Sequence, residues 1–189
     1  MTAKSSARRK FSSVWQEIDY VYDQVVRWFC GSHDRKRAAP FAKRLAMLLK
    51  QESSAGPTPF TEGAWSLLHE LDGDLAAAIV HRASEVRLLK RLFAVAITRS
   101  SFDLVLAYYD YQDLVHRLER LAALYHDTGR NEDAIKTCEE ARQLAATHGL
   151  KFGGETLLRK CKQKSRALAK SAGGDQPSRP ARRRKATSS

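Results

Sequence analysis

Cysteine is scarce in this chain, and its count is odd: Cys30, Cys138 and Cys161 stand far apart with no CxxC spacing. That suggests neither a disulfide framework nor a zinc site, and fits a reducing compartment. Long apolar runs are also missing. No stretch approaches the roughly 18 consecutive apolar residues of a membrane span, and no apolar segment follows the basic start as a signal peptide requires. The first fifteen residues share the Ser and Arg bias of transit peptides, but Glu17, Asp19 and Asp23 follow at once. A cytoplasmic location with no membrane partner is expected.

Motifs that carry chemistry are absent as well. His33, His69, His81, His116, His126 and His148 form no HExxH or comparable cluster, and His69 beside Glu70 lacks a second histidine. No GxxxxGK[ST], GxGxxG or GxSxG occurs, so phosphate cradles and nucleophile elbows have no support. The expectation is a protein that is not an enzyme and has no cofactor or metal.

What is present is charge, unevenly placed. The net +12 divides into +4 on residues 1–10, from Lys4, Arg8, Arg9 and Lys10, and +10 on residues 150–189. The remaining 139 residues carry −2, so a nearly neutral body has two basic ends. Residues 1–10 and 173–189 are expected to be disordered. The latter joins Gly, Pro and Ser to the cluster Arg182, Arg183, Arg184 and Lys185 with little apolar surface to offset the entropy of ordering. That cluster is the candidate contact for nucleic acid or another polyanion, weak and salt-sensitive; the competing reading is a solubilising tail.

Residues 11–172 read as one helical domain. Apolar residues recur at three- and four-residue steps: Val14, Ile18, Val21, Val25 and Phe29 in a first helix, then Phe41, Leu45, Leu48 and Leu49 in a second. Gly31 ends the first, and Pro40 is suited to the opening turn of the second. Thr61 is placed to cap a third helix through Leu68 and Leu71, and Gly73 with Asp74 supplies a stop and a new cap. A long fourth helix keeps its period from Leu75 to about Ile97, after which TRSS marks a break. Asp110 or Asp113 can cap the next helix, through Leu114, Leu118, Leu121 and Leu124. Gly129 turns the chain, Asn131 caps a helix ending at Gly149, and a last helix follows GGE with Leu157, Leu158, Cys161 and Leu168. No period-two alternation is found, so no sheet is expected. Tyr108, Tyr109 and Tyr111 are expected to pack their rings between hairpins rather than to form a recognition patch. The basic residues from Arg159 to Lys170 suit the C-terminal end of a helix.

Setting Gly73 against Gly129 reveals an internal repeat: Leu68 falls on Leu124, Ala78 on Ala134, Ile79 on Ile135 and Leu88 on Leu144. A small residue five places beyond a turn glycine is the mark of two helices packed antiparallel and close. Residues 115–148 resemble a tetratricopeptide repeat over its usual length of about 34 residues. Leu118 stands in the place of its Trp, followed by Leu121, Ala122, Tyr125, Ala134, Cys138 for Phe, and Ala141, while Ala146 replaces the usual Pro. Trp65 to Leu89 is a degenerate copy, and the combined pattern is similar to bacterial tetratricopeptide-repeat proteins.

The resemblance implies an all-α fold of antiparallel hairpins stacked as a short α-solenoid, acting as a non-catalytic adaptor for a protein or peptide. It implies that His116, Glu119, Ala123 and His126 face the partner groove. The Lys and Asn pattern that clamps a C-terminal carboxylate is missing, since Glu119 and Ala123 occupy the two comparable places. A buried cluster of ionisable side chains meeting in a deep cleft would contradict a surface without a reactive centre.

Overall fold

A computed structural model describes residues 11–52, 56–98 and 110–172. Among them there are helices and no strands: α1 Val14–Val25 with a π-helical continuation Val26–Gly31, α2 Arg35–Gln51, α3 Pro59–Asp72, α4 Leu75–Thr98, α5 Tyr111–Asp127, α6 Asn131–His148 and α7 Glu155–Ala172. The proposed terminal segments, the basic cluster Arg182–Lys185, the TRSS break from Arg99 onward, and Tyr108 and Tyr109 lie outside the described residues.

Helix ends follow local chemistry. Ser13 caps α1 by accepting from the Gln16 N–H, and Asp110 caps α5 by accepting from the Asp113 N–H. Gly73, Gly129 and Gly149 take left-handed backbone at φ 83°, 80° and 63°, where an L side chain would be strained. Three sequence expectations need correction. Thr58, with Pro59 behind it, caps α3, and Thr61 returns the second half of that capping box. Pro40 lies inside α2, because Asp34 starts that helix earlier by accepting from the Arg37 N–H. Buried Ala38, Ala42 and Leu45 hold α2 together across the hydrogen bond that proline cannot donate. Asn131 is the first residue of α6 and buried, donating to the Gly129 carbonyl instead of capping.

Neighbours in sequence pair in space. Glu17 meets Arg44, Glu62 meets His81 while the Ser66 hydroxyl donates to the Ala78 carbonyl, and Glu139 meets Lys162; these pairings run α1 against α2, α3 against α4, and α6 against α7. Ala78 and Ala134, the small residues of the two repeats, are both fully buried, as close approach of α3 to α4 and α5 to α6 demands. One apolar layer joins α1, α2 and α3 around Ile18, Leu45, Leu48 and Leu67. A second joins α4, α5 and α6 around Leu89, Phe93, Leu114 and Leu118, and a smaller one holds α7 through Ala122, Cys138 and Leu158. Burying a Leu of this kind stabilises the fold by about 1.5–3 kcal/mol, so each layer outweighs any surface pair.

Candidate functional site

The four groove positions on α5 meet different fates. His116 is exposed, with its ring beside the Gln112 amide at 3.0 Å. Glu119 is taken by the chain itself: its carboxylate accepts from the Gly153 and Gly154 N–H groups, the latter at 3.1 Å. His126 is likewise engaged, with Nδ1 at 3.3 Å from the Asn131 side-chain oxygen and 3.5 Å from the Cys161 sulfur. Ala123 is half-buried on the same side of α5. The segment entering α7, and α7 itself, therefore hold two of the four positions.

A cluster that sequence reasoning missed lies where α3, α4 and α5 meet. Glu70, Arg82 and Glu85 are all buried. Arg82 reaches both carboxylates, Arg117 approaches Glu85 at 2.6 Å, and Arg120 donates to Glu70. Burial pushes the Glu85 carboxyl above the usual carboxylate range against the pull of Arg82 and Arg117. Burial works to lower the Arg120 pKa, yet its bond to Glu70 holds it above the ordinary value. The Glu85 carboxylate also fills the space beside Gly63, where an added Cβ would come within 2.5 Å of it.

A signal for this cluster existed in the sequence. Ala78, Arg82, Glu85, Val86, Leu89 and Phe93 share one helical stripe, so a cation and an acid stand where apolar residues belong. Gly63, inside α3 five residues past its Thr58 cap, was the second sign.

Tyr111 stacks between Phe93 at 4.6 Å and His148 at 3.8 Å, tying the end of α4 to the start of α5 and the end of α6. The tyrosine thus packs between hairpins. Cys138 and Cys161 are buried, and burial pushes the Cys138 thiol up to about 11; Cys30 is exposed. No cluster of three or more His, Cys, Asp or Glu suited to a metal ion occurs among the described residues, and none of their helices is long and apolar enough to cross a membrane.

An apolar groove runs between α4 and α6, floored by α5. Two adjoining hollows of about 440 and 390 Å³ share Lys90, Ala94 and Glu140. Val86, Leu118 and Leu121 line one; Phe93, Leu114 and Leu144 line the other. An ion pair between Lys90 and Glu140 spans the rim. Further hollows of about 320 Å³ and 510 Å³ lie between α2 and α3 and between the start of α6 and the end of α7. None of these four hollows is lined by Glu70, Arg82 or Glu85. Comparison of the chain with protein-family models, with curated proteins and with solved structures finds no match.

Proposed function

We propose that the chain is a non-catalytic, tetratricopeptide-like adaptor that takes an amphipathic helix of a partner protein in the groove between α4 and α6. The hairpin reading draws support from α5 and α7. Glu119 meets Gly153 and Gly154, and His126 meets Cys161, at separations of 34 and 35 residues. Contacts spaced by one repeat length are what parallel first helices of successive hairpins make, and α7 then stands where the next repeat would begin.

The observation that carries the binding reading is the groove itself. From Ala83 to Ala94 it follows α4 for about 16 Å, or three helical turns. Leucines form its floor, while cations and one acid, Arg87, Lys90, Arg91 and Glu140, line its edges, and the exposed Lys90–Glu140 pair across the rim opens to admit the helix. A buried apolar strip with a polar rim is how amphipathic helices are held. The His116 face of α5 is the lesser surface, since Glu119 and His126 are engaged within the chain.

The buried ionic cluster is read as a brace, each of its carboxylates being tied to two guanidinium groups. Partner capture with the full chain tests the proposal. Ala94→Asp, which puts a charge on the exposed groove wall, is expected to abolish capture of a specific partner, while Val80→Asp, on exposed α4 surface outside the groove, leaves it intact. Equal capture by both variants would reject the groove.

A further inference from the structure

The near-neutral body hides a local imbalance. Helix α2 carries Arg35, Lys36, Arg37, Lys43, Arg44 and Lys50 and no acid. Arg37 pairs with Asp34 at 3.3 Å and Arg44 with Glu17 at 2.7 Å. Arg35, Lys36 and Lys43 are exposed and make no ion pair with any described residue.

Aromatic rings are interleaved with these cations. The guanidinium groups of Arg27 and Arg37 lie 5.3 and 4.9 Å from the Trp28 ring, and that of Arg35 lies 5.6 Å from Phe29. Both rings belong to the π-helical continuation of α1, an irregularity found frequently at functional sites. Two residues on, His33 holds left-handed backbone at φ 53°, a second local strain at the same corner.

Arg35 joins this corner to the hollow of about 320 Å³ between α2 and α3. Arg35 and Lys43 supply cations to the hollow, Trp65 and His69 supply flat walls, and Ala42 and Leu68 supply apolar surface; Asp72 is the acid on its lining. The rings form one cluster, with Trp65 at 6.2 Å from His69 and 6.3 Å from His81, and His69 stacked on His81 at 5.2 Å.

From this juxtaposition we infer that the α1–α2 corner and the α2–α3 hollow bind single-stranded nucleic acid, with Arg35, Lys36 and Lys43 on phosphates and Trp65 and His69 receiving a base. An acidic peptide would use the cations but has no call on the flat walls. A duplex satisfies the cations but keeps its bases inside its own stack. Alternating cations and rings match alternating phosphates and bases.

The test uses the full chain and a dye-labelled oligothymidylate of about twelve nucleotides, followed by polarisation across a salt series. Losing two phosphate contacts at about 0.7 per contact flattens the logarithmic salt slope by about 1.4, which is about 25-fold in affinity near 0.1 M salt. Arg35→Ala with Lys43→Ala is expected to show that loss. Arg159→Ala with Lys160→Ala, which removes equal charge from exposed positions on α7, is expected to bind like the parent. The gap must persist when Arg182, Arg183, Arg184 and Lys185 are all replaced by alanine. Trp65→Phe is expected to keep binding within about threefold while losing most of the tryptophan quenching the oligonucleotide causes. Equal affinity of the α2 and α7 variants would overturn the inference. So would competition by duplex or polyglutamate as effective as that by the single strand, or no quenching in the parent.

Discussion

Gly63→Ala should destabilise the protein, although alanine is the better helix former. Gly63 is buried inside α3, where replacing glycine by alanine alone gains up to about 1 kcal/mol. The new Cβ, however, would stand 2.5 Å from one Glu85 oxygen and 2.9 Å from its Cδ. That carboxylate cannot swing aside freely, because it is 2% exposed and held by Arg82 and Arg117. Overpacking costs about 1–3 kcal/mol, and stripping a buried cation of its partner costs about 3–5 kcal/mol. Arg117 is 28% exposed and regains water, and Arg82 keeps Glu70 at 3.6 Å, so only part of the second penalty applies. The net expectation is about 2 kcal/mol of destabilisation. With a urea dependence near 2 kcal/mol per molar, the unfolding midpoint followed by circular dichroism falls by about 1 M. In a Glu85→Ala background the same glycine substitution should become neutral or mildly stabilising, a coupling of about 2–3 kcal/mol. A Gly63→Ala protein as stable as the parent, or the same loss in both backgrounds, would refute the assigned packing of Glu85.

Other consequences can be checked separately. Glu119→Ala leaves the Gly153 and Gly154 N–H groups without their acceptor, so about 1–2 kcal/mol of stability is lost and hydrogen exchange at the start of α7 accelerates before that of α3 and α4. In the native chain at mildly alkaline pH an alkylating reagent should modify Cys30 alone, with Cys138 and Cys161 reacting only on unfolding, since both are buried and Cys30 is exposed; burial pushes all three thiols up, so access decides the site; mass spectrometry reads the sites. Glu17 is held below its ordinary value of 4.5 by its hydrogen bond to Arg44. Its contribution is present above pH 4.5 and lost as pH falls through the folded value, so Glu17→Gln should flatten the acid limb of the stability profile, less so in high salt.

Much of this architecture could be read from one dimension. The glycines at 73, 129 and 149 mark turns because they alone supply left-handed backbone without strain, and the apolar period fixes each helical face. Helix starts were harder to place. At Thr58 and Thr61 two threonines serve one capping box, and the proline between them selects the outer one as cap. At Pro40, packing of Ala38 and Leu45 outweighs a missing hydrogen bond, a comparison that needs the neighbours in place. Arg82 and Glu85 on the apolar stripe of α4 mark buried charge, but their partners lie far along the chain, as Arg120 lies 50 positions from Glu70, and no local pattern names them. The groove positions on α5 followed from the repeat resemblance. Their partial occupation depends on α7 being close enough to bring Gly153 and Cys161 to them, which periodicity alone does not state.

Site-specific photocross-linking in the living cell tests the adaptor reading most directly. A photoreactive side chain replacing Ala94 is predicted to give one discrete adduct with a partner protein, and the same group replacing Val80 to give none. No adduct from Ala94, or the same adducts from both positions, would contradict the account.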